Sequence, residues 1–302
     1  MINQQVYIYD RSLRGTSSRV TPDRLIATTG STTGPLVSCL MVTRGDVARV
    51  RASIGYFSRQ TYRNKELIVV CGTTTAALQH LVEQSGADVR LVPADRQLSL
   101  GLLRNVSVDQ ARGEIVCVWD DDDIYGVHRL ERGVGALLQA RADAVFLRQL
   151  CLWSPRQRLL RLSNTRVWEG SMIAFKNVLP RYPDAARGED TALVEAMLQA
   201  RSLALMDDPL SYCYCIHGQN TSGAPLFQGI FNDASLKFSY GRALAAFSAL
   251  LAFDEHPAFG EPDRKLLAEN AGDVGQLRRL ETYVGVNQFL RRLRYRFKRR
   301  AA

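Results

Sequence analysis

The stretch EIVCVWDDDD, Glu114–Asp123, runs a continuous apolar segment straight into four aspartates. Read as an extended strand at ~3.3 Å per residue, the acidic part packs about four negative charges into roughly 13 Å. A strand apolar on both sides belongs inside a sheet covered on both faces, which is the signature of a parallel α/β sheet. In such sheets ligands sit beyond the carboxyl ends of the strands, where these aspartates stand.

The surrounding sequence repeats this rhythm. LVSCLMV (Leu36–Val42) reads as a buried strand, and Asp46 caps a following helix with Val47, Val50, Ile54 and Phe57 on one face. ELIVV (66–70), a helix ending at Gly86, VRLV (89–92) and a helix over about 100–111 lead into the acidic strand. Beyond it the pattern predicts a helix over roughly 127–141 and two strands around a Ser-Pro turn within 144–162. A strand over 167–175, a helix from Glu189 and a strand ending near His217 follow, and the pattern is helical from Phe231 onward. The expected organisation is an N-terminal extension and linker (1–34), an α/β domain (35–225, in halves 35–125 and 126–225) and a helical C-terminal region (226–302).

Bulk composition narrows the function. With 46% hydrophobic and 23% charged residues the chain is that of an ordinary globular protein. Its net charge is +9, but Arg291–Arg300 (RRLRYRFKRR) carries seven basic residues and no acid, so +2 remains for the rest. That excludes a broad nucleic-acid-binding surface. The six cysteines include no CxxC pair, and they read as reduced core residues. Cys213 and Cys215 alternate with tyrosines, so a strand places them on one face. The opening MINQQVYIYDR lacks the apolar core of a secretory signal, and ALAAFSALLAF (243–253) is too short to cross a bilayer. The expectation is a cytoplasmic protein, or one peripheral on the cytoplasmic face of the membrane.

Four adjacent carboxylates suit a hard divalent cation, Mg²⁺ or Mn²⁺, which prefers oxygen ligands shared between protein and phosphate. A solvated acidic turn is the plain alternative. Three further pieces lie near in the pattern: Gly101, Arg104 and Asn105 before the acidic strand, Glu189 and Asp190 at a helix start, and His217 at a strand end.

Together these residues resemble the family 2 glycosyltransferases. PLVSCLMVTRGD (35–46) is similar to their first strand and loop, YFSRQTYRNKELIVV (56–70) to the next turn and strand. DDDD carries their DXD motif, GED (188–190) their xED motif, and HGQNTS (217–222) their C-terminal His loop. The resemblance implies a GT-A fold with a mostly parallel central sheet flanked by helices, and transfer from a nucleotide-diphospho-sugar to a hydroxyl. It implies Asp190 as general base, Asp122 and His217 at a divalent metal, and Asp120 and Asp121 beside ribose and diphosphate, with Thr43 and Arg104 at the nucleotide. Gly72, Gly101 and Asn105 join the expected nucleotide-sugar contacts. Arg44, in the first loop, either neutralises diphosphate or points to solvent. The family's usual acids after the second strand are replaced by Cys71, Gly72 and three threonines, which leaves the choice among UDP, GDP and dTDP open.

Trp168, Glu169, Ser171 and Glu189 are expected near a saccharide or lipid-linked acceptor, Trp168 as a platform or as core. The tail's interleaved arginines and apolar residues suit an anionic membrane surface or docking on the protein itself. Carboxylate-assisted attack by a sugar hydroxyl, with one base and one displacement, gives inversion. A sugar-phosphate nucleotidyltransferase and a non-catalytic sugar- or nucleotide-binding module are the rival functions; the first would want a Gly-rich basic loop where MVTRGD (41–46) stands.

Overall fold

The computed structural model describes residues 6–8, 34–154, 159–217, 220–221, 229–230, 234 and 236–238. Its centre is an eight-stranded sheet. In chain order the strands are β1 (Val6–Ile8), β2 (Val37–Thr43), β3 (Lys65–Cys71), β4 (Val89–Pro93), β5 (Ile115–Val118), β7 (Ala144–Leu147), β10 (Trp168–Phe175) and β11 (Leu203–Met206). They lie in the order β1-β11-β7-β10-β5-β2-β3-β4. β2, β3, β4 and β5 run parallel, as do β7 and β11, while β10 is antiparallel to both its neighbours. The sheet is therefore mostly parallel, and the expected α/β class holds.

The helices start where side chains can satisfy their free N–H groups. Asp46 accepts from the N–H groups of Ala48 and Arg49 at the start of α1 (Val47–Ser58), Thr75 caps α2 (Ala76–Gln84), and Ser99 caps α3 (Leu100–Gln110). After α2, Gly86 takes a left-handed φ of 97°, as its place in the sequence implied. α4 (Arg129–Ala140) follows the acidic segment, and α5 (Glu189–Ala200) opens with two acids behind Gly188, whose φ is 72°. Cys39, Leu67, Ile68, Val69, Ile115 and Cys117 are wholly buried, as a sheet covered on both faces requires.

A second, five-stranded sheet was not anticipated. It comprises β6 (Ile124–Tyr125), β8 (Cys151–Ser154), β9 (Leu159–Leu162), β12 (Tyr212–Cys215) and β13 (Leu236–Phe238), in the order β13-β9-β8-β12-β6. The segment read as two strands around a turn is three, because β7 joins the main sheet before β8 and β9 form their antiparallel pair. Leu236–Phe238, inside the stretch read as helical, pairs its backbone with β9. From the leading segment, Val6–Ile8 supplies the edge strand beside β11. The expected C-terminal helices and basic tail lie outside the described residues. All six cysteines are free and buried, three in each sheet.

The arrangement places the acidic segment between the sheets. β5 ends at Val118 in the main sheet, and β6 starts at Ile124 in the second. Asp120–Asp123 are thus strung across the junction, with Trp119, Tyr125 and Tyr212 stacked beneath them at ring-centroid spacings of 4.0 and 5.1 Å.

Candidate functional site

Each aspartate of the segment has different surroundings. The carboxylate of Asp120 accepts from Arg104 at 3.1 Å, while its backbone carbonyl takes hydroxyls from Ser53 and Tyr125 at 3.3 and 3.2 Å. Asp121 accepts the Thr43 hydroxyl at 2.5 Å. Asp122 meets His217 Nε2 at 2.8 Å, and Asn220 Nδ2 lies 3.3 Å from the same ring nitrogen. Asp123 turns inward and is fully buried. The resemblance separated Asp122 from Asp120 and Asp121 by motif alone; the crossing between sheets gives the physical reason, because it leaves the four side chains with different partners.

Burial and like charge set their protonation. Burial, with Asp122 beside it, pushes the Asp121 carboxyl up to about 7. Burial alone would also raise Asp122, but the hydrogen bond and charge of His217 outweigh it and hold that carboxyl below its ordinary value. Burial raises Asp120 in spite of Arg104. Among the four, Asp122 is therefore the one kept anionic by its surroundings.

Arg104, on α3, joins the two sides of the site. It donates to Glu189 Oε1 at 3.0 Å as well as to Asp120, and its side chain is only 11% exposed. Their combined negative charge overcomes the burial penalty and raises the guanidinium further above its usual range. Glu189 is buried at the start of α5 and committed to this bridge. Its neighbour Asp190 is partly exposed, accepts only the N–H of Thr191 among the hydrogen bonds described, and faces a cleft of about 780 Å³. Asp120, Asp121, Asp122, Thr43 and Arg44 open onto the same cleft, as do Trp168, Glu169 and Glu189.

Other expected site residues have structural partners. Asn105 is buried with both ends of its amide bonded to the backbone of Tyr182, each at 2.9 Å. Ser171 donates to Trp168 O and accepts from Leu147 N–H, which fixes the irregular start of β10. Neither is among the residues lining the cleft. Gly101 and Gly72 are places of close backbone approach: a Cβ on Gly101 would stand 1.9 Å from Pro183 O, and one on Gly72 would stand 2.9 Å from Arg96 Cα. Trp168 is 7% exposed yet reaches the cleft, with Arg166 4.4 Å above its ring and the Arg166 guanidinium paired to Glu169.

Arg49, Arg166 and Arg187 also line the cleft and were not singled out from sequence. Arg49 lies one turn into α1, in an ion pair with its own cap Asp46 at 3.5 Å. Such a short-range pair reads in sequence as ordinary helix chemistry, so only the fold reveals its position.

The donors fit a divalent cation in a limited way. Among the described residues there is no group of three or more His, Cys, Asp or Glu side chains placed to hold a metal. Asp122 and His217 supply one carboxylate and one imidazole, which matches the sparse protein ligation of a cation that shares its shell with phosphate and water. Asp120 and Asp121 are already bonded to Arg104 and Thr43.

The fold is of the GT-A type found in solved glycosyltransferase structures. Residues 38–176 match the model of the family described as Glycosyl transferase family 2, so the resemblance read from the motifs holds over that segment. The structure is similar to Staphylococcus aureus TarS 1-349 in complex with UDP-GlcNAc, with a TM-score of 0.52, 16% identity, and coverage of 79% of this chain and 80% of that one. It is also similar to TarS 1-349 in complex with UDP, with a TM-score of 0.50 at 14% identity, covering 78% and 70%. In sequence, an uncharacterized protein y4gI from Sinorhizobium fredii is 37% identical over 93 residues, which is 29% of this chain and 10% of that protein. The chain thus matches about a tenth of that relative's length. Among the described residues no helix is long and apolar enough to cross a membrane.

Proposed function

We propose that the protein transfers a sugar from a nucleotide-diphospho-sugar to an acceptor hydroxyl, with inversion at the anomeric carbon and with Mn²⁺ or Mg²⁺ held by Asp122 and His217. One observation carries the reading: Asp122, in the turn between β5 and β6, and Asp190, in the first turn of α5, open onto one cleft. Asp190 takes the proton of the acceptor hydroxyl while that oxygen bonds to the anomeric carbon and the bond to the diphosphate oxygen breaks. A carboxylate base of this kind contributes roughly 10²–10⁴-fold. When bound, the cation supplies positive charge for the leaving diphosphate. Thr43 and the Asp120–Arg104 pair shape the donor side, and Arg44 at the rim adds a positive charge there.

Glu189, next to the base in sequence, is spent on Arg104, which favours a single displacement over a double one. Trp168 and Glu169 line the acceptor side. The basic tail Arg291–Arg300 supports an acceptor presented at an anionic membrane surface, as in polysaccharide or glycolipid assembly.

Calorimetry with nucleoside diphosphates, with and without Mn²⁺, tests the donor side. Binding indifferent both to the metal and to Asp122→Ala removes the metal assignment. Asp190→Asn is expected to keep donor binding and lose transfer by 10²-fold or more. Unchanged turnover would take Asp190 out of the mechanism.

A further inference from the structure

We propose that Asp123, the Tyr212 hydroxyl and the Cys215 N–H form a latch that sets His217 opposite Asp122, which makes Asp123 a positioning residue for the cation-binding pair. This rests on the metal reading above, and the test below separates the two.

β6 and β12 pair through two residue positions only, Tyr125 with Tyr212 and Ile124 with Cys213. At the next step along, the side chain of Asp123 takes over from backbone pairing. Its Oδ1 accepts the Cys215 N–H at 2.8 Å, and its Oδ2 accepts the Tyr212 hydroxyl. Cys215 is two residues before His217, and Asp122 is one residue before Asp123. The carboxylate therefore ties the acidic segment to the strand that delivers the histidine, within two residues of the 2.8 Å contact between Asp122 and His217.

The latch is held stiffly from below. Tyr212 is 1% exposed and stacks on Tyr125, and the Arg129 guanidinium lies over both rings at 4.8 and 5.1 Å. Gly170 leaves room for the hydroxyl, since a Cβ there would stand 3.0 Å from it. Asp123 itself is 0% exposed, so it touches neither donor nor acceptor. A buried carboxylate is costly unless its oxygens are bonded. Both of these are bonded to the strand that leads to His217. Supporting contacts of this kind commonly change metal affinity 10–100-fold when removed.

The test titrates the full-length protein with Mn²⁺ in the presence of inorganic pyrophosphate, reading free Mn²⁺ by electron paramagnetic resonance. Asp123→Leu, close in shape but unable to accept, is expected to bind Mn²⁺ 10–100-fold more weakly than wild type. Asp123→Asn keeps an acceptor for the Cys215 N–H and can donate to the Tyr212 oxygen, so it is expected within about threefold of wild type. A folded Asp123→Leu variant that binds as wild type does, or an Asp123→Asn variant as weak as Asp123→Leu, overturns the latch. If Asp123→Leu does not fold, Tyr212→Phe replaces it, and unchanged Mn²⁺ affinity there overturns the proposal equally. Wild-type protein that binds no Mn²⁺ defeats the metal reading instead. The latch is then decided by a crystal structure of Tyr212→Phe: a widened Asp122–His217 gap supports it, and an unchanged 2.8 Å contact refutes it.

Discussion

Arg104→Met removes the one cation shared by Asp120 and Glu189. The two nitrogen–oxygen contacts are 3.1 and 3.0 Å, and the side chains are 11%, 21% and 3% exposed for Arg104, Asp120 and Glu189. At an effective dielectric of about 20, opposite charges about 4 Å apart attract by about 4 kcal/mol. The Asp120 contact is screened more than the Glu189 contact because solvent reaches it. Removing the desolvation cost of Arg104 offsets part of the lost attraction, so the expected net loss is ~3–5 kcal/mol. The sign with pH is definite. Burial raises the Glu189 carboxyl above its ordinary 4.5, with Arg104 opposing, so in the variant it rises further. An acid with a raised folded-state pKa binds more protons folded than unfolded, so stability falls as pH rises from the unfolded value through the folded one. The deficit against wild type should therefore be small near pH 4 and open above about 4.5. Urea unfolding at pH 4.5 and 7.5 measures this. Adding Glu189→Gln should return ~1–3 kcal/mol at pH 7.5. A deficit under about 1 kcal/mol at pH 7.5, or one independent of pH, would refute the bridge as a stabilising element.

Gly101→Ala should cost ~1–3 kcal/mol, at the upper end because its Cβ would meet the Pro183 carbonyl rather than a movable side chain; thermal unfolding checks this. Asn105→Leu leaves two backbone groups of Tyr182 without their partners and should cost ~2–5 kcal/mol by urea titration, with donor affinity in the folded protein unchanged. A large loss of donor affinity at equal folding would instead return Asn105 to the nucleotide. Trp168→Ala should raise the acceptor KM at least about tenfold with the donor KM nearly constant, read by steady-state kinetics once an acceptor is known.

Much of the segment over residues 35–125 was legible because its strands are continuous apolar runs and α1 begins behind the cap Asp46, a local signal; the caps Thr75 and Ser99 came only with the structure. The second sheet was not legible, since β6 has two residues and β13 three, too short to impose a period. The same logic applies to the site. Motif spacing singled out Asp122, Asp190 and His217, and the structure sets Asp122 against His217 and opens Asp122 and Asp190 onto one cleft. Asn105 and Ser171 were expected at the ligand, and the structure gives both side chains backbone partners; sequence cannot tell a polar side chain facing a cleft from one satisfying a buried backbone. Arg49 was overlooked for the opposite reason: its visible partner is local, while its place at the cleft follows from where the fold puts the start of α1.

The cysteines give the molecule a built-in reporter. Cys39, Cys71 and Cys117 sit on the main sheet, Cys151, Cys213 and Cys215 on the second, and none is accessible in the folded chain. A thiol reagent can react only after a strand comes away, so its rate counts opening events sheet by sheet. Six sulfurs modified in a single phase would mean that the two sheets melt as one cooperative body. Two phases of three would mean that the layer carrying His217 breathes on its own, and that substrate turnover takes place beside a hinge.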